Sequence, residues 1–120
     1  MYSGSGFSDW EIGDITVIIH EDVYHLFHLI IPNHDYIAHA VSTDGISWKR
    51  VNNALFVGNP GEWDDDMLWT MHVVKVNGKF EMYYTGLQRK DRGVISRIGY
   101  AESTDLINWK KYGKNIYPIE

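Results

Sequence analysis

Cysteine is absent from the 120 residues, which excludes disulfides and thiolate-held metals. Basic residues are scarce: 11 Lys and Arg stand against 16 Asp and Glu, a net charge of −5 with histidine neutral. The one short basic cluster, Arg89-Lys90-Asp91-Arg92, carries its own acid. Nucleic-acid binding needs a clustered positive surface, so that class of partner is set aside. No apolar run reaches the length of a membrane span; the longest, 15–19 and 26–31, are strand-sized. No segment sustains a 3.6-residue apolar period with caps, which predicts little helix. The opening stretch MYSGSGFSDWEIGD has neither the basic start nor the apolar centre of a signal peptide. Together with the missing cysteines this favours the cytoplasm without excluding secretion.

What is present is globular and aromatic: 44% hydrophobic residues, 22% charged and 14% aromatic, with five Trp and eight Tyr. Such side chains supply packing area, and they also stack on sugar rings. The strongest pattern is an internal repeat. IAHAVSTDGISWK at 37–49 returns as IGYAESTDLINWK at 98–110, so that Ile37, Ala40, Ser42, Thr43, Asp44, Trp48 and Lys49 recur 61 positions later. A looser match lies upstream, where Val17-Ile18 and Tyr24-His25-Leu26-Phe27 pair with Val73-Val74 and Phe80-Glu81-Met82-Tyr83 at a spacing of 56. The extra five residues fit a longer loop, 86–97, in the second unit. A repeat of this length means two copies of one supersecondary unit, neither able to bury its hydrophobic faces alone.

Within each unit the β-branched and aromatic runs predict strands at 15–20, 23–31, 36–42 and 47–51, then at 69–76, 79–85, 95–103 and 108–112. Asn77-Gly78 is a strong hairpin signal, and Glu21-Asp22 holds the matching place in the first unit. Four antiparallel strands joined as a meander and recurring every 56 to 61 residues read as blades of a β-propeller. The expected fold is all-β: two four-stranded blades of an incomplete ring, the first at 1–57, the second with its linker at 58–120. Residues 52–67 read as that linker. Because 53–57 aligns with 114–118, a third blade is expected to begin where this sequence stops. Trp48 and Trp109 are expected to wedge between neighbouring blades.

Asp14, at the mouth of the first strand, is the leading candidate for chemistry. Inner strands of a propeller converge on the axial cavity, where a carboxylate can serve as nucleophile or general base in glycoside hydrolysis. Asp64-Asp65-Asp66 could bind Ca²⁺ or reach a substrate hydroxyl, although a solvated loop is the simpler role and the spacing is not that of an EF-hand. Asp66, or Asp65 beside it, lies just before Leu68-Trp69 and is the one expected to face the pocket. None of the six histidines shows metal-ligand spacing, and His25 and His28 point to opposite strand faces. Trp10 and Trp63 precede inner strands, where a sugar platform would lie, with packing the commoner role for each.

These residues carry a family resemblance. Gly13-Asp14-Ile15-Thr16-Val17-Ile18 followed by Val23-Tyr24-His25-Leu26-Phe27 resembles the opening blade of the five-bladed propeller glycosidases, glycoside hydrolase families 43 and 32 and their relatives. Leu68-Trp69-Thr70-Met71-His72-Val73-Val74, then 77–86, resembles their second blade, and the Ala-x-Ser-x-Asp-x-x-x-Trp element at 40–48 and 101–109 is common in the group. Ile15 replaces the usual proline and Thr70-Met71 replaces Ala-Pro. The resemblance implies that Asp14 is the catalytic aspartate, general base in inverting members and nucleophile in retaining ones, with Trp69 and His72 lining the sugar pocket. It implies a carbohydrate substrate and no cofactor, with a structural Ca²⁺ as the only metal to consider. The partner acids of this group come from later blades, so the chain would hold half a site and need remaining blades or self-association to close the ring. A non-catalytic carbohydrate-binding or structural fragment and a family 130-like glycoside phosphorylase are the alternatives. The Ser-x-Asp-x-Gly element of sialidases is approached at 42–48, but their arginine triad has no counterpart here.

Overall fold

The computed structural model describes residues 11–119. Eight strands follow in order: β1 (Glu11–His20), β2 (Val23–Ile31), β3 (Tyr36–Ser42), β4 (Lys49–Phe56), β5 (Met67–Val76), β6 (Lys79–Leu87), β7 (Arg97–Ser103) and β8 (Lys110–Lys111). They form two antiparallel meanders, β1-β2-β3-β4 and β5-β6-β7-β8, and the only helical element among the described residues is one 3₁₀ turn, Arg89–Asp91. Each sheet opens with a two-residue hairpin. Asn77 and Gly78 have positive φ, and Glu21 and Asp22 take the same left-handed path without a glycine.

The repeated Ser-x-Asp elements close the β3–β4 and β7–β8 turns. Asp44 Oδ1 accepts the Ser42 hydroxyl and the backbone N–H groups of Ile46 and Ser47. Asp105 Oδ1 does the same with Ser103, Ile107 and Asn108. These donors hold both carboxyls below the usual carboxylate range. The repeated aspartates are thus turn residues.

The core lies between the sheets. Phe27, Leu29, Ile37 and Leu55 of the first pack against Leu68, Met71, Val73, Phe80, Met82 and Tyr84 of the second. Trp109 meets Phe27 edge-on across this seam, as expected of a wedge, whereas Trp48 touches Tyr24 of its own sheet. Trp63 lies on Tyr84 and on the bare backbone of Gly86 and Gly99, where a Cβ would overlap the indole. Its role is packing.

Several strand boundaries differ from the sequence reading, β7 and β8 being shorter than expected at Arg97–Ser103 and Lys110–Lys111. β1 begins at Glu11, so Asp14 lies inside a strand rather than at its mouth. β4 extends to Phe56, into residues assigned above to the linker, because Leu55 pairs with Ile37 and Phe56 with Tyr36. Ser47 is occupied by the Asp44 turn instead of starting the strand. At the equivalent place in the second sheet Ile98 bonds to Ile116 and Tyr117, one residue out of register, since Ile98 bridges Tyr117 where Ile37 pairs with Leu55.

Candidate active site at the joint of the two blades

β1 and β5, the first strands of their sheets, each contain a β-bulge. In β1, Gly13 pairs with Leu29 and Ile15 with His28, which leaves Asp14 as the extra residue. In β5, Trp69 pairs with Thr85 and Met71 with Tyr84, which leaves Thr70. A bulge turns one side chain out of the regular alternation, and bulges recur beside active sites for that reason. The two bulged residues are 56 apart, the repeat spacing, and they meet: the Thr70 hydroxyl donates to Asp14 Oδ2 at 2.5 Å. One carboxylate oxygen is thereby held from the other sheet.

Two residues further along, the next repeat pair also meets. Thr16 Oγ1 lies 3.4 Å from His72 Nδ1 and accepts a long bond from the Val73 N–H at 3.5 Å. The hydroxyl thus lies between the two strands, within reach of the imidazole and of the β5 backbone. Thr16 is buried, while Asp14, Thr70 and His72 are exposed. The carboxylate therefore stands in an open position at the seam, with an imidazole two residues along the adjoining strand.

Trp69 completes the group. It immediately precedes Thr70, is partly exposed, and stacks on His34 with ring centroids 4.2 Å apart and planes 9° from parallel. Asp14, Trp69 and His72, chosen from sequence, thus lie on two adjoining strands. Trp10 lies outside the described residues. Asp66 sits apart from the Asp14–Thr70 contact: its N–H donates to the Leu87 carbonyl and its carboxylate lies beside Gly93.

The Asp64–Asp66 segment is not the solvated loop expected. Asp64 is buried, paired with Lys111 Nζ at 2.7 Å and approached by the Tyr84 hydroxyl at 3.3 Å. Asp65 is buried as well and accepts the backbone N–H groups of Arg89 and Gly61, which hold its carboxyl below the usual range. These carboxylates are committed to a cation and to amides. No group of three His, Asp or Glu among the described residues is arranged to hold a metal ion.

Residues 14–118 match the Glycosyl hydrolases family 32 N-terminal domain. The chain belongs to that family. Solved structures similar to this family 32 chain include Zg3597, a family 117 glycoside hydrolase of the marine bacterium Zobellia galactanivorans. That match has a TM-score of 0.79 at 16% identity and covers 91% of this chain and 40% of the other. A second is CoXyl43, a GH43 β-xylosidase/α-arabinofuranosidase from a compost microbial metagenome, with TM-score 0.71, 15% identity and coverage of 88% and 36%. These likenesses place the two sheets as blades of the glycosidase β-propeller. A β-1,2-mannobiose phosphorylase from Thermoanaerobacter sp. (strain X514) is 37% identical over 76 residues, 62% of this chain and 24% of that protein. The family 32 chain thus spans a quarter to two-fifths of the length of these relatives.

Sequence reasoning missed Thr70, His34 and Thr16. Thr70 was visible only as a departure from the family's Ala-Pro. The repeat spacing could have found it, since Thr70 stands 56 residues after Asp14. His34 carries no such signal.

Proposed function

We propose that this family 32 chain contributes Asp14 as the catalytic carboxylate of an enzyme that cleaves glycosidic bonds in oligo- or polysaccharides, with Trp69 and His72 lining the sugar site. The observation that carries this reading is the meeting of the two bulges. Asp14 is turned out of its strand's alternation and held by Thr70 through one oxygen, and the residue is exposed. A carboxylate so placed suits a nucleophile or general base. The general acid would come from outside this chain, because one carboxylate cannot both activate the attacking group and protonate the leaving oxygen.

The need for further blades has its own support. Ile15, Val17 and Ile19 are 59%, 45% and 58% exposed, yet the repeat equivalents of the first two, Met71 and Val73, are 3% and 4% exposed beneath the first sheet. The outer face of the first blade therefore matches a surface that its twin covers with a neighbouring blade. Further blades, or further copies of this chain, would fill that place.

The test is turnover of aryl arabinofuranosides, xylosides, fructans and mannobiose by the protein in its complete assembly, compared with Asp14→Asn. General acid–base or nucleophilic catalysis by Asp14 predicts a loss of roughly 10²–10⁴-fold. Unchanged turnover, or saccharide binding without turnover in either protein, would favour the carbohydrate-binding reading. The similarity to the mannobiose phosphorylase supports a second reading, in which phosphate replaces water as acceptor. Turnover that requires inorganic phosphate and releases a sugar phosphate would select it.

A further inference from the structure

We propose that His34 is a positioning residue that fixes the indole of Trp69 as a platform for a neutral sugar ring beside Asp14; this deepens the site reading above and rests on it. His34 is held in a state with three separate costs. Its backbone is left-handed, φ 56°, without being glycine. The residue is buried, at 6% exposure. Its Nδ1 is buried with no hydrogen-bond partner. Left-handed backbone and an unpaired buried polar atom are each unfavourable, and such features gather where the surrounding structure enforces them for a purpose. A leucine or glycine in the β2–β3 loop would avoid one or more of these costs.

What the residue does instead is tie the two blades at the site. Its N–H donates to the Ile30 carbonyl and its own carbonyl accepts the Leu68 N–H, both at 2.8 Å. The β2–β3 loop of the first blade is thus fastened to the residue before Trp69, and the imidazole lies flat on the indole at 4.2 Å. One face of Trp69 is covered. The residue is still 39% exposed. The next residue, Thr70, holds Asp14. An indole stacked on His34 yet belonging to a partly exposed residue, one position from the carboxylate's partner, suits the apolar C–H face of a pyranose or furanose. Stacking on a ring already immobilised avoids ordering it at binding. An unsupported indole at an exposed strand position would lose that advantage.

The test uses the full chain labelled with 5-fluorotryptophan, the Trp69 resonance being assigned by Trp69→Phe. Xylobiose and mannobiose serve as probes. His34→Asn keeps a residue tolerant of left-handed backbone but removes the aromatic ring, whereas His34→Phe keeps a flat ring and removes both nitrogens. Without sugar, Asn at position 34 should shift or broaden the Trp69 signal and leave those of Trp48 and Trp109 in place; Phe should leave the Trp69 signal sharp. With sugar, wild type and the Phe variant should show a saturable Trp69 shift. The Asn variant should bind about tenfold more weakly, in line with the worth of one aromatic contact. A Trp69 signal and sugar affinity unchanged by Asn overturn the proposal, as does a wild-type Trp69 signal that neither sugar moves. If Trp69 responds as stated while Asp14→Asn keeps full turnover, the catalytic reading fails and this one stands.

Discussion

Trp109 of the second blade stands edge-on against Phe27 of the first, ring centroids 5.7 Å apart and planes at 90°. Its repeat twin, Trp48, makes its ring contact with Tyr24 inside its own sheet, 6.4 Å away. One sequence position therefore does two jobs, according to whether a preceding blade lies against it.

This pair gives a direct stability comparison. Trp109→Ala removes an aromatic side chain from the seam and should cost about 3 kcal/mol in urea unfolding. Trp48→Ala removes the same side chain where no second sheet covers it and should cost about 1 kcal/mol. Equal losses would show that the two blades do not share Trp109.

The ion pair beneath the second blade is a second case. Lys111→Met leaves Asp64 buried without its cation, and removing one partner of a buried pair costs about 3–5 kcal/mol. Combining it with Asp64→Asn should recover part of that loss. A single variant as stable as wild type would mean that Asp64 is solvated after all.

Acid should loosen the first sheet. His25 Nδ1 and His39 Nε2 lie 2.9 Å apart, and His39 stacks on Phe27 at 4.3 Å, on the face that packs against the second blade. Burial lowers both pKa values, that of His39 from 6.5 to about 4, with the charge of His25 adding to the effect on His39. The native protein then binds fewer protons than the unfolded chain between these values. The stability is full above pH 6.5 and falls as the pH drops through about 4, by about 3 kcal/mol for His39. The depressed carboxyls of Asp44 and Asp105 add their loss only below the ordinary carboxylate range. Urea unfolding at pH 7, 5.5 and 4.5 should show this slope, and His39→Phe should make it shallower. A flat profile from pH 7 to 4.5 would contradict the assignment.

The sequence carried the blades because their signals are local or periodic. The 37–49 and 98–110 copies share turn chemistry, and Asn77-Gly78 names its own hairpin. Asp14 was legible as a candidate, but its place in a bulge was not, since that depends on how Gly13 and Ile15 pair with Leu29 and His28 on another strand. Asp64 read as solvated because its cation, Lys111, lies 47 residues away. His34 was invisible for the same reason: its stack on Trp69 and its bond to Leu68 form only when two separately encoded sheets dock.

Asp14 on its bulge, held by Thr70, is the claim on which the functional account turns. Its most direct test is the rate of glycosidic bond cleavage by the complete assembly against that of the Asp14→Asn variant, with folding checked by urea unfolding. The account predicts an intact fold with cleavage reduced roughly 10²–10⁴-fold. An Asn variant that folds and cleaves as fast as wild type would contradict it.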